Sequence, residues 1–230
     1  MLSFASSLSP ESEALAIFVN EKYGYKDKKA VLSSSIVEKV NSCLAGLKGK
    51  NEQEDIASFE ISHKKICFVI RVKAKYSSYF PQEIGGSFFT KLKLYKKVNK
   101  IDLYPDSLDL DKTKLASFFS QFIFGFNLKS YTFSKYKTLN KEKINKKISC
   151  KIITSIKETV QKEYKYYDAV KEGVFLTRDL VSEPPNILNP KKYTDEIKKL
   201  SKLGLKVEIL NEMKLKKLGM NSLLGVGQGS

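Results

Sequence analysis

Residues 66–72, Ile66-Cys67-Phe68-Val69-Ile70-Arg71-Val72, and the stretch after them through Pro81, Ile84, Phe88, Leu92 and Tyr95 decide the fold. The first run is rich in β-branched and aromatic side chains, which suit a pleated surface, and it predicts a central strand. Pro81 lacks an N–H, which costs nothing in the first turn of a helix. The apolar residues after it recur three and four apart, so they share one helical face. Further on, Ile101 to Tyr104 is a short strand closed by Pro105. Leu115, Phe118, Phe119, Phe122 and Phe126 then form the stripe of an amphipathic helix, and Ile148 to Ile153 is another candidate strand. Upstream, Leu15 to Val19 is a buried-strand candidate. Ser33–Ser35 offer N-caps for a helix carrying Ile36, Val40, Cys43 and Leu47. Gly46 and Gly49 fall near its end. Strand alternates with helix, the pattern of an α/β layer fold.

The 230 residues suffice for one large domain or two modest ones. With 42% apolar residues, 14 Phe and 12 Tyr, the chain can build a core, so disorder throughout is excluded. No apolar run approaches the roughly 20 residues that cross a bilayer. The first lysine is Lys22, so no cationic n-region of a secretory signal is present. Cys43, Cys67 and Cys150 are odd in number and spread widely, which argues for a reducing, cytoplasmic setting. The formal charge is +16, yet only Arg71 and Arg178 are arginine. Phosphate readers lean on arginine, whose planar fork bonds bidentately. The lysines form no basic stripe on one element, so compositional bias is the favoured source of the charge and nucleic acid the less favoured partner.

The second half is well punctuated. From about Lys157 to Val181, one helical face carries Val160, Tyr164, Tyr167, Val170 and Val174, and Pro184-Pro185 stops it. Asn189-Pro190 starts another helix with an apolar face of Tyr193, Ile197 and Leu200, and Gly204 suits its left-handed C-terminal cap. Leu205, Val207 and Ile209 alternate with Lys206 and Glu208, a pattern that predicts a half-buried strand. Asn211 caps a short helix ended by Gly219. Gly225-Val226-Gly227-Gln228-Gly229 predicts a flexible loop. A dinucleotide fingerprint would need a following helix and an acidic ribose contact, and neither stands before the last residue, Ser230.

Candidate chemistry is sparse. His63 is the only histidine, which excludes Ser-His, Cys-His and multi-histidine metal sites on count. His63 and Cys67 are four apart, a metal-sharing distance on a helix but not in a strand. Asp102, Asp106, Asp109 and Asp111 cluster around Pro105, but the glycine and twelfth-position Glu of a calcium loop are missing, so they read as a solvated acidic loop. Tyr164, Tyr166 and Tyr167 alternate with lysines, and the helical phase assigns Tyr164 and Tyr167 to core packing.

The order and spacing of three stretches carry a resemblance. They are Arg178-Asp179-Leu180-Val181-Ser182-Glu183-Pro184-Pro185-Asn186, Asn189-Pro190, and Leu218-Gly219-Met220 followed by Leu223-Leu224-Gly225-Val226-Gly227-Gln228-Gly229-Ser230. Residues 171–230 resemble the segment that precedes the catalytic residues in the leucyl (cytosol) aminopeptidase family. Tyr131-x-Phe133-x-x-Tyr136-Lys137 is similar to a stretch near the end of that family's N-terminal domain. The family's glycine-rich turn after the central strand is replaced here by Arg71-Val72-Lys73-Ala74-Lys75.

The resemblance implies a macro-like α/β/α N-terminal domain with a mixed sheet over residues 1–155. It further implies a linker helix over 156–184 and the beginning of an α/β catalytic domain over 185–230. It implies peptide substrates, a homo-hexamer and two divalent metals, manganese or zinc, held by carboxylates and a lysine in a whole family member. Two metals polarise the scissile carbonyl and activate a water. The ligand segments follow the Gly-Gln-Gly-Ser stretch, so no catalytic, cofactor-binding or metal-binding residue is assigned within residues 1–230. The expectation is a chain inactive by itself; the alternative is a basic module that binds nucleic acid or another anion.

Overall fold

The computed structural model describes residues 2–27, 29–49, 54–139 and 148–229. The chain divides into two compact units, residues 1–173 and 174–230. The division falls inside one long helix, Lys157–Ser182.

The first unit is built on a six-stranded sheet. Its strands are β1 (Ser3–Ala5), β2 (Ala14–Asn20), β3 (Ile56–Ser62), β4 (Lys65–Val72), β5 (Lys100–Tyr104) and β6 (Ser149–Ile153). They lie in the order β1-β6-β5-β2-β4-β3. Every neighbouring pair is parallel except β3 and β4, which form a hairpin. The helices are α1 (Ser34–Lys48), α2 (Phe80–Lys93), α3 (Lys112–Ser130) and α4 (Lys157–Ser182).

β2 shows why the sequence folds this way. It lies between β5 and β4, and its residues from Ala14 to Val19 are fully buried. Alternate side chains enter opposite faces. Ala14, Ala16 and Phe18 join Phe68 and Ile70 of β4 against Phe88 of α2, Phe119 and Phe122 of α3, and Val160 of α4. Leu15, Ile17 and Val19 join Val69 of β4 against Val40 and Leu44 of α1. The sheet is thus covered on both sides, as a mostly parallel sheet must be. Phe18 packs edge-on to Phe122 at 5.1 Å between ring centroids, a favoured aromatic geometry.

The contact between α2 and α3 depends on missing side chains. A methyl group on Gly85 would lie 2.1 Å from the Phe122 carbonyl oxygen, and one on Gly125 would lie 1.9 Å from that of Gln82. Two glycines therefore let the helix backbones meet, and the phenylalanines interdigitate around that point.

The expected strands at 15–19, 66–72, 101–104 and 148–153 and the three helices between them are present. Two strands had not been expected. β1 has only three residues, and β3 carries Ser58, Glu60 and Ser62 among its apolar residues.

Among the described residues of the second unit there are helices and turns but no strand. The last part of α4 is followed by α5 (Pro190–Lys199), a 3-10 turn (Leu200–Leu203), α6 (Glu212–Lys217) and α7 (Asn221–Gln228). The Asn189 side chain accepts a hydrogen bond from the Lys192 amide at 3.0 Å, and Asn211 accepts one from Lys214 at the same distance. Gly204 takes the left-handed conformation at φ +87°, as its place after α5 requires.

Two expectations here are corrected. The predicted strand at Leu205–Ile209 is irregular chain. Alternation supplies a strand's faces, but its backbone groups still need a partner strand, and this unit offers none. Residues 225–228 are helical rather than a flexible loop. The Leu224 amide donates to the Met220 carbonyl at 3.2 Å in the first turn, and the helix runs on through Gly225 and Gly227.

Candidate functional site

The two connections that leave the centre of the sheet diverge. From β2 the chain passes to α1 on one face, and from β4 it passes to α2 on the other. β2 and β4 are adjacent and parallel, so their carboxyl ends open into a crevice. This is the topological switch point at which open α/β sheets present their ligand sites.

One wall of the crevice is Asn20, Glu21 and Lys22, after β2. The other is Val72 to Tyr76, after β4. Leu108, Asp109 and Leu110 after β5, and Lys114 in the first turn of α3, complete the lining. The cavity measures about 710 Å³. It shares Glu21, Lys22, Lys73, Ala74 and Lys75 with a shallower hollow that reaches Arg71.

The charges of the crevice are partly paired: Lys73 lies 3.7 Å from the Asp55 carboxylate and Lys114 3.4 Å from that of Asp111. Lys22, Lys73, Lys75 and Lys114 all line it and are exposed. The two acids on the lining are engaged. The Glu21 carboxylate accepts the Ala74 amide at 3.1 Å, and Asp109 pairs with Lys26. Arg71 is buried and anchors the wall from below: it donates to Asp55 at 2.8 Å and lies over the Tyr23 ring. Tyr76 is 41% exposed, its ring held against Phe80 and Phe118.

Sequence reasoning marked Arg71-Val72-Lys73-Ala74-Lys75 only as a departure from a glycine-rich turn. Lys22, Tyr76 and Lys114 were missed. The available signal was a basic run directly after the central strand, at the end where α/β sheets bind ligands.

The other candidates fall elsewhere. His63 is exposed in the β3–β4 turn, whereas Cys67 is fully buried in β4. Burial pushes the Cys67 thiol up, which removes it as a nucleophile. Tyr164 is buried, and its hydroxyl accepts from Asn127 at 2.7 Å, so the tyrosine pair belongs to the core as the helical phase predicted.

The solvated acidic loop is corrected, because the four aspartates have four separate roles. Asp102 is fully buried, and its Oδ2 accepts from the Ser9 amide at 2.9 Å and the Ser12 hydroxyl at 2.5 Å. Asp106 accepts from Thr154 and from the Ser155 amide and hydroxyl, each of the latter at 2.7 Å. Asp109 pairs with Lys26, and Asp111 caps α3 by accepting the Lys114 amide at 2.9 Å. Strand β5 separates these neighbours in sequence by burying the first and turning the rest outward.

Among the described residues, no group of three or more His, Cys, Asp or Glu could hold a metal ion. No described helix is long and apolar enough to cross a membrane.

Comparison with known proteins bears on the second unit first. The family model described as "Cytosol aminopeptidase family, catalytic domain" matches residues 175–230. A probable cytosol aminopeptidase of Agrobacterium fabrum is 42% identical over 139 residues, which cover 59% of this chain and 28% of that protein. A probable cytosol aminopeptidase of Brucella anthropi is 32% identical over 240 aligned residues, covering all of this chain and 47% of that protein. This chain therefore spans less than half the length of these relatives. A solved variant of tomato leucine aminopeptidase superposes with a TM-score of 0.68 at 21% identity, over 95% of this chain and 46% of that one. At that identity the superposition speaks for the fold.

Proposed function

Because the chain belongs to the cytosol aminopeptidase family, we propose that it is the N-terminal half of a leucyl-type aminopeptidase, an enzyme that removes N-terminal residues from peptides. The observation that carries this reading is the match of residues 175–230 to the model of the family's catalytic domain, beside a relative that aligns over the whole chain but is covered to only 47% of its own length. On this reading, residues 1–155 are a macro-like scaffold domain, 156–184 a linker and 185–230 the opening of the catalytic domain. The helix Lys157–Ser182 supports the linker assignment. The names of the relatives support a cytoplasmic setting.

The two divalent ions implied by the family, manganese or zinc, do not fit the donors in hand. Asp179, Glu183, Asp195, Glu196, Glu208 and Glu212 form no cluster in the second unit. No catalytic step is therefore routed through these residues. Their contribution is architectural. Asn189 and Asn211 fix where two helices begin, and Gly204 and Gly219 take the positive φ that ends the preceding turns.

Hydrolysis of leucine p-nitroanilide tests the proposal. The 230-residue chain, supplied with manganese, zinc or magnesium, is expected to show no chelator-sensitive turnover. Fused ahead of the remaining C-terminal part of the Brucella anthropi relative, it is expected to gain such turnover. Turnover by the chain alone, or a folded but inactive fusion, would overturn the reading.

A further inference from the structure

We propose that Lys39 and Lys91 close the β3 edge of the sheet against a second copy of this chain, which would otherwise find there a strand to pair with. Both lysines lie in the first unit, outside the residues that match the aminopeptidase catalytic domain, so the proposal is independent of the function proposed above.

A sheet ends where a strand lacks a neighbour, and the unpaired backbone groups of that strand are a template for another chain. Here the sheet ends at β1 and β3. β1 has three residues, too short a ladder to hold a partner. β3 has seven, Ile56–Ser62. The register of β3 on β4 decides which of its backbone groups face the edge. The Arg71 amide donates to the Asp55 carbonyl at 2.8 Å, which makes those two residues a hydrogen-bonded pair. Bonded and non-bonded pairs alternate along an antiparallel ladder. Ala57 and Phe59 therefore turn their backbone groups to Val69 and Cys67, and Ile56, Ser58 and Glu60 turn theirs outward.

A lysine meets this outward row at each end. The Lys91 ammonium donates to the Ile56 carbonyl at 2.5 Å and lies 3.3 Å from the Glu54 carboxylate. The Lys39 ammonium donates to the Ile61 carbonyl at 2.5 Å, where the register shifts. Lys91 belongs to α2 and Lys39 to α1, helices that cover opposite faces of the sheet. Each face thus sends one long side chain to the same edge, its charged head bonded to the backbone. An incoming strand would have to strip an ammonium from its carbonyl and draw the charge out of water. Between the two caps the outward residues are Ser58 and Glu60, a shorter run than the usual strand of about five or six residues. Glu60 is exposed and adds a charge to that gap.

Sedimentation velocity of the full chain across a concentration series, read together with amide exchange of residues 56–62, tests the proposal. In the unsubstituted chain the Ser58 and Glu60 amides are expected to exchange at a rate independent of concentration. The double variant Lys39→Met, Lys91→Met keeps the long stems and removes both caps. It is expected to self-associate about tenfold or more tightly than the unsubstituted chain. The Ser58 and Glu60 amides should gain protection as it does so. Either single variant gives the same readout, more weakly, if the double variant fails to fold. Adding Ser58→Pro removes one outward N–H, a change that an edge strand tolerates, and is expected to reverse the association. Lys39→Arg, Lys91→Arg keeps charged donors at both ends and is expected to behave as the unsubstituted chain. Concentration-dependent protection of Ser58 and Glu60 in the unsubstituted chain would overturn the proposal, because the edge would then be open. A folded methionine variant that associates no more tightly would overturn it too. Association that spares those two amides and survives Ser58→Pro would assign the effect to the methionines themselves and overturn the role of the edge.

Discussion

A methyl group at position 125 would come 1.9 Å from the Gln82 carbonyl oxygen, whereas one at position 46 would meet nothing within 4 Å. The same substitution should therefore have opposite signs at the two sites. Gly125→Ala forces α3 off the backbone of α2, and overpacking of this kind costs about 1–3 kcal/mol or more. Gly46→Ala removes backbone entropy from an exposed turn of α1 and should stabilise by about 0.5–1 kcal/mol. Urea midpoints of the two variants check both signs at once. A second residue-scale prediction concerns Glu13, whose carboxylate accepts the Asn99 amide at 2.5 Å and the Lys100 amide at 2.8 Å. Burial works to raise its pKa, but these amides together outweigh burial and hold it below the ordinary 4.5. A carboxylate with a depressed pKa contributes stability above its unfolded value, and the contribution is lost as pH falls through the folded one. Glu13→Gln should therefore lower the thermal midpoint at pH 7, and the gap to the unsubstituted chain should close below pH 4.5. A gap independent of pH would show that the charge is not what the amides bind.

Elements differ in how much of themselves they encode locally. The start of α5 is written in two residues: Asn189 accepts the Lys192 amide, and Pro190 opens the helix without a donor to satisfy. Asn189→Ala should destabilise α5 by about 1 kcal/mol, the usual worth of an N-cap. Faster amide exchange across residues 192–199, with residues 66–126 unaffected, is the expected result. The strand expected at 205–209 shows the opposite case. Its alternation was legible, but a strand forms only against a partner, and partners are not encoded in the strand itself. For the same reason β4, dense in β-branched residues and buried on both faces, could be read directly. The short β1 could not, since three residues carry no period. The acidic residues around Pro105 looked alike in sequence. Only the pairing of β5 with β2 and β6 shows that Asp102 faces the interior while Asp111 caps a helix.

At the scale of the whole molecule, the alternation of strand and helix made the layered architecture legible, but the strand order was not. The crevice depends on that order. Its lining comes from residues 20–22, 72–76 and 108–114, stretches with no common pattern until β2 stands between β5 and β4. The contrast between the two units was legible and leads to a last prediction. The first unit buries both faces of its sheet. In the second, no described residue from 174 to 229 is buried, and Leu205, Leu223 and Val226 are all more than half exposed. Local stability follows packing density, so the second unit should open far more often. Trypsin has sites there at Lys191, Lys192, Lys198, Lys199 and Lys202, of which all five are exposed. Brief digestion should cut these first and leave a resistant fragment ending between Lys157 and Arg178. The start of α4 should survive because Val160 and Tyr164 are buried in the first unit's core. Mass spectrometry of the early fragments reads the result. Equal resistance along the whole chain would mean that the second unit is packed as tightly as the first. Early loss of residues 66–126 would mean that the phenylalanine-rich layer between sheet and helices is not the stable core.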